Sequence, residues 1–276
     1  LMGKRWMITG AGRGLGLEIA RAALNSGETV VATARDAQDI AAAFDADHER
    51  LHALSLDITD QDAAEGITAE ALERTGGIDV LVNNAGQAQL GWFETISDTH
   101  VRRQFETNLF GTMNVTRAVA PHMRERRCGL IVTISSINGL LANSGGSVYA
   151  ASKFAIEGWM EGFAQELAPL GIHSMVVEPG MLRTNFLDDR SATHGDIDIP
   201  DYAEAVSEFR SFIAEADHNQ PGDPKALAAR IVELASSEKP PARFVFGEDA
   251  LEWANTKVGQ LKAEIERSAE IGSTAS

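Results

Sequence analysis

The chain has 276 residues, of which 44% are hydrophobic and 23% charged, with a formal net charge of −16. This length allows a large core, and the composition is typical of a globular protein. The negative charge disfavours nucleic acid and anionic membranes as partners. No apolar stretch reaches the roughly 18 residues of a membrane span. A single cysteine, Cys128, and scattered histidines leave no internal disulfide and no metal-ligand pattern. We expect a cytoplasmic protein without a metal.

Short apolar runs rich in β-branched residues alternate with amphipathic stretches along the chain. The runs predict strands at residues 5–9, 29–33, 51–56, 79–82, 130–135, 173–178 and 243–247. The stretches between them predict helices, among them one that follows the first strand, one over 101–127 and one over 149–170. Alternating strands and helices predict an α/β fold, a Rossmann-type doubly wound parallel sheet with helices on both faces. With no repeat or linker visible, we predict a single domain over residues 1–276.

Two stretches depart from this alternation. Residues 185–220 are polar and acidic, with a weak helical pattern in their second half. Because ligands bind beyond the carboxyl ends of strands in such sheets, this insertion is a candidate substrate lid. Residues 250–270 predict a C-terminal helix, followed by a tail at 271–276. The apolar stripe of this helix consists of Leu251, Ala254, Val258, Leu261 and Ile265. The stripe either packs on the domain or forms a subunit contact.

A glycine-rich loop, TGAGRGLG at residues 9–16, follows the first predicted strand and opens a helix. Backbone N–H groups and the helix dipole favour a phosphate at such a helix start. Glycines let the backbone approach that phosphate closely. The spacing does not fit the common dinucleotide pattern G-x-G-x-x-G. The loop therefore predicts phosphate binding but does not by itself specify the ligand.

Two further motifs follow strands at the same predicted edge of the sheet, and a third lies on the helix that comes after them. NNAG, residues 83–86, closes the fourth strand, and Ser135 and Ser136 close the fifth. Tyr149 and Lys153 then come at positions i and i+4, which places them on one face of a helix. An ammonium close to a phenol lowers the pKa of the phenol, which is ordinarily about 10.

TGxxxGxG, NNAG, a strand-end serine and YxxxK, in this order, resemble the classical short-chain dehydrogenase/reductase family over roughly residues 4–184. The resemblance implies that Tyr149 is the general acid or base. It implies that Lys153 lowers the pKa of that tyrosine and holds the nicotinamide ribose. Ser136 would polarise the substrate oxygen, and Asn108 would support a water that relays protons to the lysine. A tyrosine tuned in this way contributes about 10²–10⁴-fold to the rate.

The second strand carries the signal for the choice of cofactor. An NAD-selective fold places an acid at its end, where the residue here is Ala34, followed by Arg35. Arg35 and Arg13 offer guanidinium groups for a 2′-phosphate, so NADP(H) is predicted over NAD(H), although Asp36 lies nearby. Together with the glycine loop and these arginines, the resemblance implies the following cofactor-binding residues: Gly10, Gly12, Arg13, Gly14, Leu15, Gly16, Arg35, Asp57, Ile58, Asn84, Ala85, Gly86, Tyr149, Lys153, Pro179, Gly180 and Thr184.

Largely apolar residues that follow the strand ends are the candidates for the substrate wall. They are Trp92, Phe93, Ile137, Asn138, Leu140, Met181 and Phe186. Such a wall fits a ketone or alcohol with a hydrophobic body. We therefore predict an NADP(H)-dependent ketone or aldehyde reductase, or a hydroxysteroid-type alcohol dehydrogenase. The resemblance also implies a homotetramer or homodimer built through helices 101–125 and 149–169.

Other functions stay open. The chain is alternatively an NAD-dependent alcohol dehydrogenase, or a non-catalytic sensor that kept the fold and the cofactor. The presence of Asn108, Ser136, Tyr149 and Lys153 disfavours the sensor. An epimerase or dehydratase of the extended subgroup typically shows a TGxxGxxG loop, and the position three residues after Gly10 is Arg13 instead.

Overall fold

A computed structural model describes residues 3–44, 48–188, 190–217 and 219–273. Its strands are β1 Arg5–Thr9, β2 Thr29–Ala34, β3 Leu51–Ser55, β4 Val80–Asn83, β5 Ala88–Gln89, β6 Gly129–Ile134, β7 Ile172–Pro179, β8 Ala192–Thr193 and β9 Arg243–Phe246. Seven of them form one parallel sheet in the order β3-β2-β1-β4-β6-β7-β9. This confirms the predicted fold class and all seven predicted strands. The two-residue strands β5 and β8 pair separately and were not predicted, because so short a run shows no alternation.

Helices cover both faces of the sheet. They are α1 Gly14–Asn25, α2 Ala37–Ala41, α3 Gln61–Thr75, α4 Asp98–Phe105, α5 Thr112–Arg126, α6 Ser147–Leu167, α7 Ala203–Ala216, α8 Pro224–Ala235 and α9 Glu248–Ser273. One core contains apolar residues of α1 and α8 with alternate strand residues such as Ile8 and Val82. The other contains α3, α5 and α6 residues with the intervening ones, such as Met7 and Leu81. Both faces are buried, which explains why the strands appear in the sequence as continuous apolar runs.

The two long predicted helices are confirmed. The predicted helix over 101–127 comprises α4 and α5, joined by a π-helical turn at Glu106–Gly111, and it ends at Arg127, whose φ is 53°. The second consists of α6 and a short 3-10 turn that Gly171 ends with a φ of 70°. The π-helical turn was not predicted, and it contains Asn108. Such turns occur often at functional sites.

The segment after β7 contains more regular structure than predicted. Residues 185–220 form a 3-10 turn, strand β8, a second 3-10 turn and helix α7, with residues 189 and 218 outside the described part. The predicted C-terminal helix is confirmed as α9. The prediction of a tail over 271–276 was wrong for residues 271–273, which are helical. Residues 274–276 lie outside the described residues. The apolar stripe of α9 does not pack on the domain: Val258 is 63% exposed and Ile265 is 68% exposed.

Candidate active site

The glycine loop leaves the N-terminus of α1 open. Gly10 and Gly14 have φ values of 66° and 57°, in the left-handed region that favours glycine. Arg13 precedes the helix in an extended conformation, and its side chain makes no capping hydrogen bond. The first N–H groups of α1 therefore have no side-chain cap, and they can bind an anion.

The NNAG motif holds this loop in place. The Asn84 side-chain amide donates to the carbonyl oxygens of Thr9 and Gly10 at 3.0 and 3.1 Å. The backbone N–H groups of Asn84 and Ala85 donate to the Thr9 hydroxyl at 3.0 and 3.1 Å. A Cβ on Gly16 would collide with the Asn84 amide. Gly16 thus serves close packing of loop and helix, and it does not line the adjoining cavity.

A cavity of about 1320 Å³ extends from this loop along the carboxyl ends of the strands. Its wall includes the loop, the residues after β3 and β4, the tyrosine and lysine of α6, and the residues after β7. Every predicted cofactor residue except Gly16 lines it: Gly10, Gly12, Arg13, Gly14, Leu15, Arg35, Asp57, Ile58, Asn84, Ala85, Gly86, Tyr149, Lys153, Pro179, Gly180 and Thr184. The open helix start and the continuous groove that leads to Tyr149 fit a nicotinamide dinucleotide.

The two arginines predicted to read a 2′-phosphate have different surroundings. Arg35 is exposed at the end of β2 and lines the cavity. Arg13 donates to the Ser191 hydroxyl at 2.8 Å and lies 3.5 Å from the Asp188 carboxylate. Asp36 accepts from the backbone N–H of Gln38 and so caps α2. An acid that the sequence did not single out, Asp39, also lines the cavity next to Gly12.

The predicted catalytic residues of α6 meet the end of β6 in the wall of this cavity. Tyr149 is 8% exposed and Lys153 is 7% exposed. The Lys153 ammonium donates to the Ile134 carbonyl oxygen at 2.9 Å and lies 5.8 Å from the centre of the Tyr149 ring. The Ser136 hydroxyl accepts from the backbone N–H of Asn138 at 3.1 Å. The structure thus brings Tyr149, Lys153 and Ser136 together, as predicted.

Burial is the largest cause of the pKa shifts of Tyr149 and Lys153. It raises the pKa of Tyr149 to about 12, against a smaller lowering by the hydrogen bond with Ser136. Burial lowers the pKa of Lys153 to about 8, while the charge of Glu157 raises it. The expected lowering of the Tyr149 pKa by Lys153 is therefore not seen in the protein alone, because the ammonium bonds to Ile134 and desolvation favours the neutral phenol.

Asn108 reaches this site only indirectly. Its side chain accepts from the backbone N–H of Gln87 at 3.0 Å and donates to the Gln87 carbonyl oxygen at 3.0 Å and to the Ser152 hydroxyl at 3.2 Å. Asn108 is buried and is not among the described residues that line the cavity, whereas Gln87 is. Asn108 thus fixes the backbone at Gln87, just before β5. Its support of a relay water stays a prediction.

The substrate wall agrees with the prediction only in part. Ile137, Asn138, Met181 and Phe186 line the cavity. Three predicted residues are not among the described residues that line it, namely Trp92, Phe93 and Leu140. Phe93 points to solvent and is 64% exposed, and Trp92 packs edge-on against the ring of Phe209. Distant segments supply residues that the sequence did not reveal: Leu90, Leu187, Phe209, Phe212, Ile213, Gln220 and Trp253.

A group of buried charges behind Lys153 was also missed. Glu157, one turn after Lys153 on α6, lies 3.2 Å from the Arg243 guanidinium, which also pairs with Glu178. Glu178 is fully buried at the end of β7. The one signal in the sequence is the i, i+4 spacing of Lys153 and Glu157, which is common on helices.

Comparisons with known proteins agree with this geometry. A family model described as short chain dehydrogenase matches residues 4–195. The chain is 34% identical over 271 residues to oxidoreductase BOA17 of Botryotinia fuckeliana, with 98% of each chain covered. None of the helices in the described part of the chain has the length and apolar character that crossing a bilayer requires.

Two solved structures extend the similarity. A short-chain dehydrogenase from Streptomyces avermitilis has a TM-score of 0.89, with 39% identity and 99% of both chains covered. ElxO with NADP bound has a TM-score of 0.76, with 27% identity, and the match covers 91% of this chain and 100% of that one. The range matched by the family model contains both the glycine loop and the tyrosine–lysine helix.

Proposed function

Because the chain belongs to the short-chain dehydrogenase family, we propose that it is an NADP(H)-dependent oxidoreductase that interconverts a carbonyl and an alcohol on a largely apolar substrate. Members of the family bind a nicotinamide cofactor and act on small molecules. One observation carries the proposal: Tyr149, Lys153 and Ser136 line the same cavity as the open N-terminus of α1.

The chain's own residues account for the proton chemistry. In the direction of reduction, the Tyr149 hydroxyl donates its proton to the substrate oxygen as the carbonyl becomes an alcohol. Ser136 donates a hydrogen bond to that oxygen while charge develops on it. The Lys153 ammonium lies 5.8 Å from the centre of the Tyr149 ring, and its charge stabilises the phenolate left on Tyr149. The nicotinamide, when bound, supplies or accepts the hydride.

The choice of NADP(H) rests on the end of β2. Ala34 leaves no carboxylate where NAD-selective folds have one, and Arg35 is exposed at the cavity with a planar fork suited to a phosphate. The NADP bound by ElxO supports this choice in a related protein. The contacts of Arg13 with Asp188 and Ser191 make Arg35 the more available of the two cations. An Arg35→Ala variant should lose affinity for NADPH about tenfold or more and little affinity for NADH, as measured by fluorescence titration. Equal losses for the two cofactors would contradict the assignment.

The nature of the lining supports an apolar substrate. Residues Phe186, Phe209, Phe212 and Ile213 converge on the side of Tyr149 that faces the segment after β7, and the rings of Tyr149 and Phe186 lie 5.9 Å apart. Apolar walls with few polar groups are typical of sites for hydrophobic ligands. We therefore infer a ketone, aldehyde or alcohol with a hydrophobic body.

Assembly through the long helices is part of the proposal. Phe110, between α4 and α5, and Phe154 on α6 are 49% and 44% exposed, although both are large and apolar. Exposed apolar groups on adjacent helices are typical of subunit contacts. A Phe154→Glu variant should shift the mass by light scattering to that of a smaller assembly, and a monomeric wild-type protein would refute this contact. The net charge and the free Cys128 are consistent with the cytoplasmic location we propose.

The decisive experiment replaces each of the two tyrosines in turn. Tyr149→Phe should lower turnover by about 10²–10⁴-fold in a carbonyl screen that follows NADPH consumption, and should leave NADPH binding intact. Tyr202→Phe is the matched control, because Tyr202 bonds to Glu94 and lies outside the described lining of the cavity. Near-normal turnover of the Tyr149 variant would overturn the mechanism.

The same screen separates the alternative function. A non-catalytic NADP-binding sensor would bind NADPH in the titration and consume none with any carbonyl compound or alcohol. The buried Tyr149 and Lys153 disfavour a sensor, because keeping two ionisable side chains out of water is costly without a chemical use.

A further inference from the structure

Behind Lys153, away from the cavity, lies a second layer of charge, in which two carboxylates are buried and the guanidinium between them is partly exposed. The Glu157 carboxylate of α6 lies beside the Ser135 hydroxyl at the end of β6 and 3.2 Å from the Arg243 guanidinium of β9. Arg243 is shared with Glu178 of β7, which is fully buried. Room for the Glu157 carboxylate comes from Gly139, since a Cβ there would lie 2.8 Å from its Oε1.

The charges in this layer balance. Lys153 faces Glu157 from the same helix, Arg243 faces it from β9, and Glu178 approaches the same guanidinium from β7. The Arg243 side chain is 41% exposed, so water shares in the compensation of the two carboxylates. Burial raises the pKa of Glu157, while Ser135, Arg243 and Lys153 lower it. Removing the charge of a buried carboxylate therefore changes the proton affinity of the buried lysine beside it.

We propose that Glu157 is a positioning residue for catalysis, whose carboxylate, anchored by Arg243, keeps the Lys153 ammonium charged next to Tyr149. The inference rests on the proposed function, because that function gives the Lys153 charge its role. Glu157 is outside the described lining of the cavity and touches no reacting atom. It acts only through the lysine.

The proton affinity of the lysine shows why this support matters. Burial brings the pKa of Lys153 down to about 8, close to neutral, even with the opposing effect of Glu157. Without the carboxylate, the amine would lose its proton near neutral pH. A phenolate on Tyr149 would then lack its nearest cation, and the proton transfer would slow.

The full chain without cofactor allows a direct test. The sequence contains only six lysines, so NMR of protein labelled at the lysine Cε resolves their titrations, and a Lys153→Met variant identifies the signal of interest. In Glu157→Gln we expect the Lys153 midpoint to fall by about one pH unit or more. Glu157→Asp keeps the charge and should restore most of the midpoint.

Glu178→Gln is the matched control. It removes another buried carboxylate that contacts the same Arg243 but is not among the groups that shift the pKa of Lys153. It should move the Lys153 midpoint much less than Glu157→Gln does. A midpoint in Glu157→Gln equal to that of the wild type, or equal shifts in the two variants, would overturn the inference. Thermal unfolding confirms that each variant is folded.

Turnover provides a second readout. In Glu157→Gln, kcat should fall several-fold between pH 7 and 8 with little change in KM, because substrate contacts are untouched. The two proposals fail separately. If Tyr149→Phe turns over normally, the proposed function is wrong; if it is inactive while Glu157→Gln leaves the Lys153 midpoint and the pH profile unchanged, only the role of Glu157 is wrong.

Discussion

The glycine loop and the segment from residue 185 to 220 border the same cavity, but the helix after the loop packs into the core, whereas the helix in the segment has no buried residue. Helix α1, which follows the loop, has six buried residues, whereas none of the residues of α7, all of them described, is buried. The Asn84 amide holds the loop through two carbonyl oxygens.

The segment over residues 185–220 is held mainly by polar contacts, among them the bonds of Asp196 to Ser97 and of Tyr202 to Glu94. Arg13 contacts Ser191 and Asp188, the Thr193 hydroxyl bonds to Gln89 at 2.6 Å, and β8 pairs with β5 over two residues. Regions with few buried apolar contacts open at low free-energy cost. We infer that the glycine-loop side of the cavity is preorganised, whereas side chains of residues 185–220 can be replaced with little effect on the stability of the fold.

The largest effect on stability should come from adding one methyl group to the glycine loop. Gly16→Ala forces a Cβ against Asn84 and the Gly10 carbonyl, and we expect a loss of about 3 kcal/mol in the free energy of unfolding, with weaker cofactor binding. The control is Gly259→Ala in α9, outside both regions. Its Cβ would meet nothing within 4 Å, so this change should be neutral or stabilising by up to about 1 kcal/mol. Urea unfolding measures both, and similar losses in the two variants would contradict the close packing of the loop on Asn84.

A second effect concerns how the free energy of unfolding changes with pH as Lys153 and Tyr149 titrate. The folded protein releases the Lys153 proton at a pH of about 8 and the unfolded chain near its ordinary 10.5, so the unfolded state binds more protons in between. Stability should therefore rise between these values, by about 3 kcal/mol at most. Above pH 10 Tyr149 reverses the trend, because the folded state keeps its proton up to about 12. Lys153→Met should abolish the rise in urea titrations across this range; an unchanged rise would assign it to other groups.

A smaller effect is expected at the contact that joins the two regions. Asp188→Asn removes the charge that faces Arg13, and such partly exposed pairs contribute about 1 kcal/mol or less. Proteolysis within residues 185–217 should become a few times faster while global unfolding stays the same. Glu208→Gln, an exposed change on α7, serves as the control and should not alter cleavage. Equal cleavage of all three proteins would show that this ion pair does not hold the segment.

The smallest effect on the stability of the fold belongs to α9. Val258 and Leu261 are exposed, so Leu261→Glu should change unfolding by no more than about 0.5 kcal/mol. The stripe does not pack on the domain, so the remaining alternative, a subunit contact, predicts a drop in mass by light scattering for this variant. An unchanged mass would leave the long helices as the proposed contact.

The sequence signals for the glycine-loop side of the cavity are local. Gly10 and Gly14 need left-handed backbone, and Tyr149 and Lys153 share a face by helical spacing alone. The strands are buried on both faces, so their apolar runs stood out without any knowledge of their neighbours. All residues predicted to bind the cofactor, except Gly16, line the cavity.

The substrate side could not be predicted in the same way. Phe93 is apolar and follows a strand end, yet it faces solvent, while Phe209 from more than a hundred residues later lines the cavity. The contacts of Arg13 with Asp188 and Ser191 and of Glu157 with Arg243 join residues far apart in the chain. No short-range periodicity encodes such pairs.

By itself, the sequence determined the parallel α/β sheet, the glycine loop and the tyrosine–lysine helix, because each depends on residues within a few turns of one another. Only the tertiary structure decided which apolar side chains face the cavity, that Arg13 rather than Arg35 contacts Asp188 and Ser191, and which charges lie behind Lys153. Burial sets those outcomes, and burial depends on which distant segments pack together.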